Sequence, residues 1–149
     1  MKCWLIKIDK FLDSKLPLVI LLSLVVLLRL PNFFEPYWYG DEAIYLTVGQ
    51  SMNAGQQLYT QIVDHKTPII YYLARVPDQF NFRLLLLGWM MVSTWAFFKV
   101  SKKLLKNHKA VMVSSIMFVL LTTLPWLEGH IPNGELFVMG FVLVGGWLM

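Results

Sequence analysis

Charge is scarce in this chain. Only 15% of its residues are Asp, Glu, Lys or Arg, while 57% are hydrophobic; a soluble domain carries about a quarter charged residues. That shortage excludes an ordinary soluble domain and points to a membrane protein. Cysteine is almost absent as well: with Cys3 alone, no internal disulfide can form. There is no internal repeat and no low-complexity tract.

What is present is long apolar runs, which divide into spans of about 20 residues. The first, residues 16–34, reads LPLVILLSLVVLLRLPNFF. Arg29 is its only charge and is expected to snorkel outward. The second, residues 83–100, is RLLLLGWMMVSTWAFFKV, and the third, residues 110–127, is AVMVSSIMFVLLTTLPWL. The fourth, residues 136–149, is still apolar at Met149. A span wants interfacial anchors at both ends, so the chain is expected to be the N-terminal part of a longer multi-span protein and to be inactive alone. The first run is longer than a signal core and lacks a small-residue cleavage site, so it reads as a retained anchor.

The lysines set an orientation. Lys2, Lys7, Lys10 and Lys15 precede the first span, and Lys99, Lys102, Lys103, Lys106 and Lys109 fill the second link. Both segments are expected to be cytoplasmic, the N-terminus included. Residues 32–82 and 128–135 then face outward with Glu35, Asp41, Glu42, Asp64, Asp78, Glu128 and Glu135, seven of the nine acidic residues. The polybasic link answers anionic lipid headgroups rather than nucleic acid. The expected fold class is all-α: a polytopic membrane helix bundle with interfacial helices in a long first outer loop, residues 35–82.

That loop exceeds the length of a simple connection and should hold structure or function. Ile44, Val48 and Met52 recur every four residues from Asp41, joined by Tyr45, as on one face of a helix. Asp41 is the expected N-cap and Gly55 the stop. A second short helix is expected from Pro68, with the proline at its first position. Tyr37, Trp38 and Tyr39 are expected to form an interfacial belt, with sugar stacking as the second reading.

Four stretches in order, LRLPNFFEPYWYGDEAIY, AGQQLYTQIVDHKTPIIYYL, FRLLLLGWMM and GHIPNGELFVMGF, resemble the polytopic lipid-linked sugar transferases of the GT-C superfamily. The likeness is to the branch of protein O-mannosyltransferases and lipid A aminoarabinose transferases. It implies an outer-face glycosyltransferase that moves a sugar from a polyprenyl-phosphate carrier to an acceptor. Asp41 matches the family's acidic residue, the base that takes the acceptor's proton. Such a carboxylate contributes about 10²- to 10⁴-fold.

The resemblance further implies that Lys66 sits beside the carrier phosphate, where an ammonium stabilises the leaving group. Glu135 opens the fourth span as an acidic residue does in the family, positioned to pair with Lys66 or hold an acceptor. Glu42 is either a binding residue or favours the helix dipole. Arg29 and Arg83 match arginines that hold the phosphate or anchor the interface. The lipid A branch has Glu before the lysine; here stand Asp64 and His65. These two either orient the sugar by hydrogen bonding or contribute to a divalent metal with residues elsewhere; two ligands alone make a weak metal signal. Glu128 and His130 read as ordinary interfacial groups. The rival readings are a binding or transport module lined by Asp41, Asp64 and Glu135, for which acids within the spans are expected, and an inactive membrane fragment.

Overall fold

The computed structural model describes residues 14–36 and 40–149. Cys3, Lys2, Lys7 and Lys10, and the aromatic triplet Tyr37–Tyr39, lie outside the described residues. The described residues are all-α, with no strands. Helix α1 (Leu16–Arg29) continues into a 3₁₀ turn, Pro31–Phe34, and α2 covers Gly40–Asn53. Then follow α3 (Pro68–Leu73), α4 (Gln79–Leu104), α5 (His108–Leu121), a 3₁₀ turn (Pro125–Leu127) and α6 (Gly134–Leu148).

Among the described residues two segments are long and apolar enough to cross a membrane: Leu16–Phe34, with mean hydropathy 2.1, and Gln79–Leu104, with 1.5. The second starts four residues before the sequence expectation because the Asp78 carboxylate caps it, accepting from the Asn81 amide at 2.9 Å. The third apolar run forms a shorter helix than expected, of 14 residues, and the fourth a helix of 15 residues that begins two residues before the expected start. At 1.5 Å per residue each reaches about 22 Å, against about 30 Å of hydrocarbon. Helix α5 stops at Leu121 rather than Leu127 because Leu124 is held extended before Pro125.

The core is built around α4, which packs against α1, α5 and α6. With α6 it runs in parallel, joined by rings at successive levels. Phe82 stacks on Phe137 (6.2 Å between centroids), Trp89 meets Phe141 (4.6 Å) and Trp95 meets Trp147 (4.5 Å). At the far end the Lys103 ammonium donates to the Trp147 carbonyl at 2.6 Å, a cation at a helix C-terminus. Gly140 makes the approach possible, since a Cβ there would overlap the Trp89 indole and the Ser93 hydroxyl. Ser93, Ser115 and Thr123 donate to carbonyls one turn back, satisfying their hydroxyls within the apolar interior.

The start of α4 lies beside the end of α1, the end of α5 and the start of α6. All seven acidic residues named above as outward-facing gather at this end. Lys99, Lys102 and Lys103 lie in the last two turns of α4, and Lys106 and Lys109 at the turn into α5, at the other end. The charge segregation expected from the sequence is therefore a property of the folded helices.

Arg29 departs from expectation. It does not snorkel: it is 2% exposed, and one guanidinium nitrogen donates to the Thr122 and Gly129 carbonyls at 2.6 and 2.7 Å. This clamp ties α1 to the turn after α5. A Cβ at Gly129 would overlap the Thr122 carbonyl, so that close crossing needs glycine.

Candidate functional site

Helix α2 begins at Gly40, one residue before the expected cap, so Asp41 and Glu42 both fall in its first turn. Successive helical residues point about 100° apart, and these two carboxylates part accordingly. Glu42 turns inward and is 1% exposed. It forms a bidentate pair with Arg83, Nε to Oε1 at 2.7 Å and Nη2 to Oε2 at 2.8 Å, and accepts from Gln79 at 3.0 Å. The other Arg83 nitrogen donates to the Asn32 and Glu35 carbonyls. The Asn32 amide in turn reaches the His130 carbonyl at 2.8 Å.

Glu42 and Arg83 thus sit in a buried polar knot that fastens α1, α2, α4 and the 128–135 link together. Each is saturated by protein partners, which leaves neither open to a ligand. The buried face of α2 is Glu42, Tyr45, Leu46, Val48 and Gly49; of the expected face, Tyr45 and Val48 are buried and Met52 packs against the core, while Ile44 is 46% exposed. The apolar periodicity did not register Glu42 on that face because this first inward residue is charged. Gly49 lies against the end of α3, where a Cβ would overlap the Ala74 carbonyl.

Asp41 points the other way. Its carboxylate accepts from the Tyr45 hydroxyl, one turn on, at 2.9 Å. Burial, and then the Asp41 charge, push the Tyr45 phenol well up, so it stays a donor. The Lys66 ammonium stands 3.7 Å from Asp41 and 3.4 Å from Glu135. Partial burial works against that ammonium, but Glu135 and Asp41 outweigh it and hold Lys66 above the ordinary lysine value. Glu135 is in the first turn of α6, whose N-cap Asn133 accepts from the Leu136 amide at 3.0 Å.

The connection that carries Lys66 has few repeating hydrogen bonds and is pinned by tyrosines. The Tyr59 hydroxyl donates to the Lys66 carbonyl at 2.6 Å, and the Lys66 amide donates to the Tyr71 hydroxyl at 3.1 Å. Tyr71 donates onward to Asp64 at 2.7 Å. Its ring meets those of Tyr45 and Tyr59 edge-on, 6.0 and 6.4 Å away. Tyr71 is positioned by α3, which starts at Pro68 as the sequence predicts. Burial and Asp64 push its phenol well up.

Asp64 also accepts from the His65 amide at 2.7 Å, and its carboxylate lies 2.9 Å from His65 Nδ1. Burial alone would raise the Asp64 carboxyl, but Tyr71 and His65 outweigh it and hold it below the ordinary value. His65, Lys66 and Thr67 rim a cavity of about 460 Å³, faced by Gly134 and Glu135 and floored by Ile70, Val138 and Met139.

Asp41, Asp64, His65, Lys66 and Glu135 therefore meet at one place, and Glu42 and Arg83 brace it from behind. Glu128 adopts a left-handed backbone (φ 54°) and accepts through its carbonyl from Asn133 at 3.0 Å. His130, expected at the surface, is 1% exposed, with Nε2 3.6 Å from Glu35. Burial pushes its imidazole down, against the pull of Glu35 and with Arg83 and Arg29 adding to the effect. Among the described residues no three or more His, Cys, Asp or Glu side chains group as metal ligands do. Sequence reasoning gave Tyr45 only a place on the helix face and missed the part that it, Tyr59 and Tyr71 play at the site; the signals available were the placement of Tyr45 one turn after Asp41 and of Tyr71 in the first turn after Pro68.

Compared with protein-family models, with curated proteins and with solved structures, the chain finds no match.

Proposed function

We propose that this protein is a multi-span membrane enzyme that transfers a sugar from a polyprenyl-phosphate carrier to an acceptor at the membrane face opposite the lysine-rich end. The observation that carries this reading is the Lys66 ammonium between Asp41 and Glu135, 3.7 and 3.4 Å away, at the rim of an apolar cavity. A cation over an apolar floor fits a phosphate attached to a hydrocarbon chain. The neighbouring carboxylate Asp41 is the base: the acceptor oxygen bonds to the anomeric carbon, its proton passes to Asp41, and the carrier phosphate departs with the bonding electrons. Tyr45 and Lys66 keep the Asp41 side chain oriented for that step. Asp64 and His65 contact the donor, and Glu135 shares Lys66 or holds the acceptor.

A transport pathway is disfavoured because α1, α4 and α5 carry no acidic residue along their lengths. Orientation is checked by thiol labelling of single cysteines placed at the exposed positions Gln57 and Lys106. Gln57 should label from outside and Lys106 only after the membrane is opened. The functional test is to purify the protein and identify its bound lipids by mass spectrometry. A prenyl phosphate should co-purify and be depleted about ten- to a hundredfold in Lys66→Met, the worth of a charge-assisted hydrogen bond of about 1.5–3 kcal/mol. Recovery of bulk phospholipid alone would rule out the carrier.

A further inference from the structure

Tyr59 is held in a backbone conformation that its residue type disfavours. Its φ is 66°, in the left-handed region, where a bulky side chain is an outlier and persists only when its surroundings over-determine it. Gly55, earlier in the same connection, takes a φ of 93° without that cost. What holds Tyr59 is a small knot of hydrogen bonds within residues 57–62. The Gln61 and Ile62 amides donate to the Gln57 carbonyl at 3.0 and 3.3 Å, and the Tyr59 amide donates to the Ile62 carbonyl at 2.7 Å. The Gln57 amide donates to the Gln61 side chain at 2.8 Å, and Leu58 and Ile62 pack the turn against the core.

The left-handed turn gives the Tyr59 side chain its reach. The ring leaves the turn to meet Tyr71 edge-on, and its hydroxyl donates to the Lys66 carbonyl at 2.6 Å. On the other side of the same residue the Lys66 amide donates to the Tyr71 hydroxyl at 3.1 Å. Both backbone polar groups of Lys66 are thus held by phenols, and its side chain sets out from a fixed point. We propose that Tyr59 is a positioning residue: strain kept in the 57–62 turn fixes the backbone of Lys66, so that its ammonium stands between Asp41 and Glu135 before any ligand arrives. The use of that ammonium against a phosphate rests on the proposed function, whereas the clamp itself needs no ligand. A cation fixed in advance receives an anion without the cost of being ordered on arrival.

The test reads Lys66 directly, by trace acetylation of the whole protein in detergent and mass spectrometry of the Lys66 peptide, with the exposed Lys106 as internal reference. Partial burial works against the Lys66 ammonium, but Glu135 and Asp41 outweigh it and hold the group above the ordinary lysine value. A lysine released from them has more free amine at a given pH and labels faster. Tyr59→Phe removes one hydrogen bond and should speed Lys66 labelling about two- to tenfold, the fold-change such a bond carries. Tyr72→Phe, at an exposed position of α3, should leave it unchanged. Tyr59→Gly and Tyr59→Ala both lose the ring and should label Lys66 alike, but the glycine variant should melt at the higher temperature, because only alanine must still bear the left-handed backbone. Unchanged Lys66 labelling in Tyr59→Phe, or an alanine variant that melts above the glycine one, overturns the proposal. Farnesyl phosphate should bind about two- to tenfold more weakly to Tyr59→Phe, and adding that change to Lys66→Met should cost nothing more. If labelling rises while binding holds, the clamp stands and the assignment of Lys66 to the carrier phosphate fails.

Discussion

Asp41 and Glu42 are neighbours in sequence and in the first turn of one helix, yet they occupy opposite kinds of surroundings. Glu42 is 1% exposed and chelated by Arg83 at 2.7 and 2.8 Å. The Asp41 side chain is 30% exposed and meets its cation at 3.7 Å. The close, dry pair is committed to holding four parts of the chain together. The loose, open one keeps a lone pair and a cation available to something else. One step of about 100° around a helix separates a buried brace from an accessible carboxylate.

Breaking the brace should have the largest effect on stability. Arg83→Met leaves Glu42 buried without its cation, which costs about 3–5 kcal/mol. Thermal unfolding in detergent should show it, and protease should cut the 54–67 connection more readily. The double variant Glu42→Gln/Arg83→Met should lose less than the sum of the singles, because the two residues share one interaction.

Next come the glycines that let the helices close around the brace. Gly49→Ala drives a methyl into the Ala74 carbonyl, and Gly140→Ala drives one into Trp89 and Ser93. Each should cost about 1–3 kcal/mol by overpacking. Gly88→Ala, where a Cβ meets open space, is the matched control and should be neutral or slightly stabilising.

The smallest effect is in pH. His130 and Asp64 are both held below their ordinary values, so the folded state binds fewer protons at these sites than the unfolded chain. Their contributions are present above the unfolded values and fade as pH falls through the folded ones. His130 begins to lose its share below about pH 6.5 and Asp64 in the acid carboxylate range. Lys66 is shifted the other way, so its share is present below its ordinary value of 10.5 and lost as pH rises beyond it. The melting temperature should therefore be flat from about pH 6.5 to 10 and lower on either side.

The helical class, the two long apolar segments, the Pro68 start of α3 and the Gly55 stop (φ 93°) were legible because each depends on local rules: hydropathy, proline at N1, glycine at positive φ. The meeting of Asp41, Lys66 and Glu135 was legible in part, since all three lie on the acidic side of the charge pattern. Inward-facing charge was not legible. Arg29, Glu42 and Arg83 look interfacial in a sequence, and only the approach of carbonyls from residues far away in the chain lets them be buried. The tyrosine scaffold under Lys66 was hidden for a similar reason: a phenol's hydrogen-bond partner is a tertiary fact. Helix α5 fell short because the approach to Pro125 acts on backbone conformation, which a count of apolar residues does not register.

The division of labour within the first turn of α2 is tested most directly by comparing Asp41→Asn with Glu42→Gln in the same membranes, measuring sugar transfer and melting temperature for each. Asp41→Asn should reduce transfer about 10²- to 10⁴-fold, the worth of a positioned base, with the melting temperature within a degree or two of the parent. Glu42→Gln should lower the melting temperature by several degrees, and transfer should fall only as far as folded protein is lost. If instead Asp41→Asn unfolds the protein while retaining transfer, Asp41 is a brace like its neighbour and the base lies elsewhere.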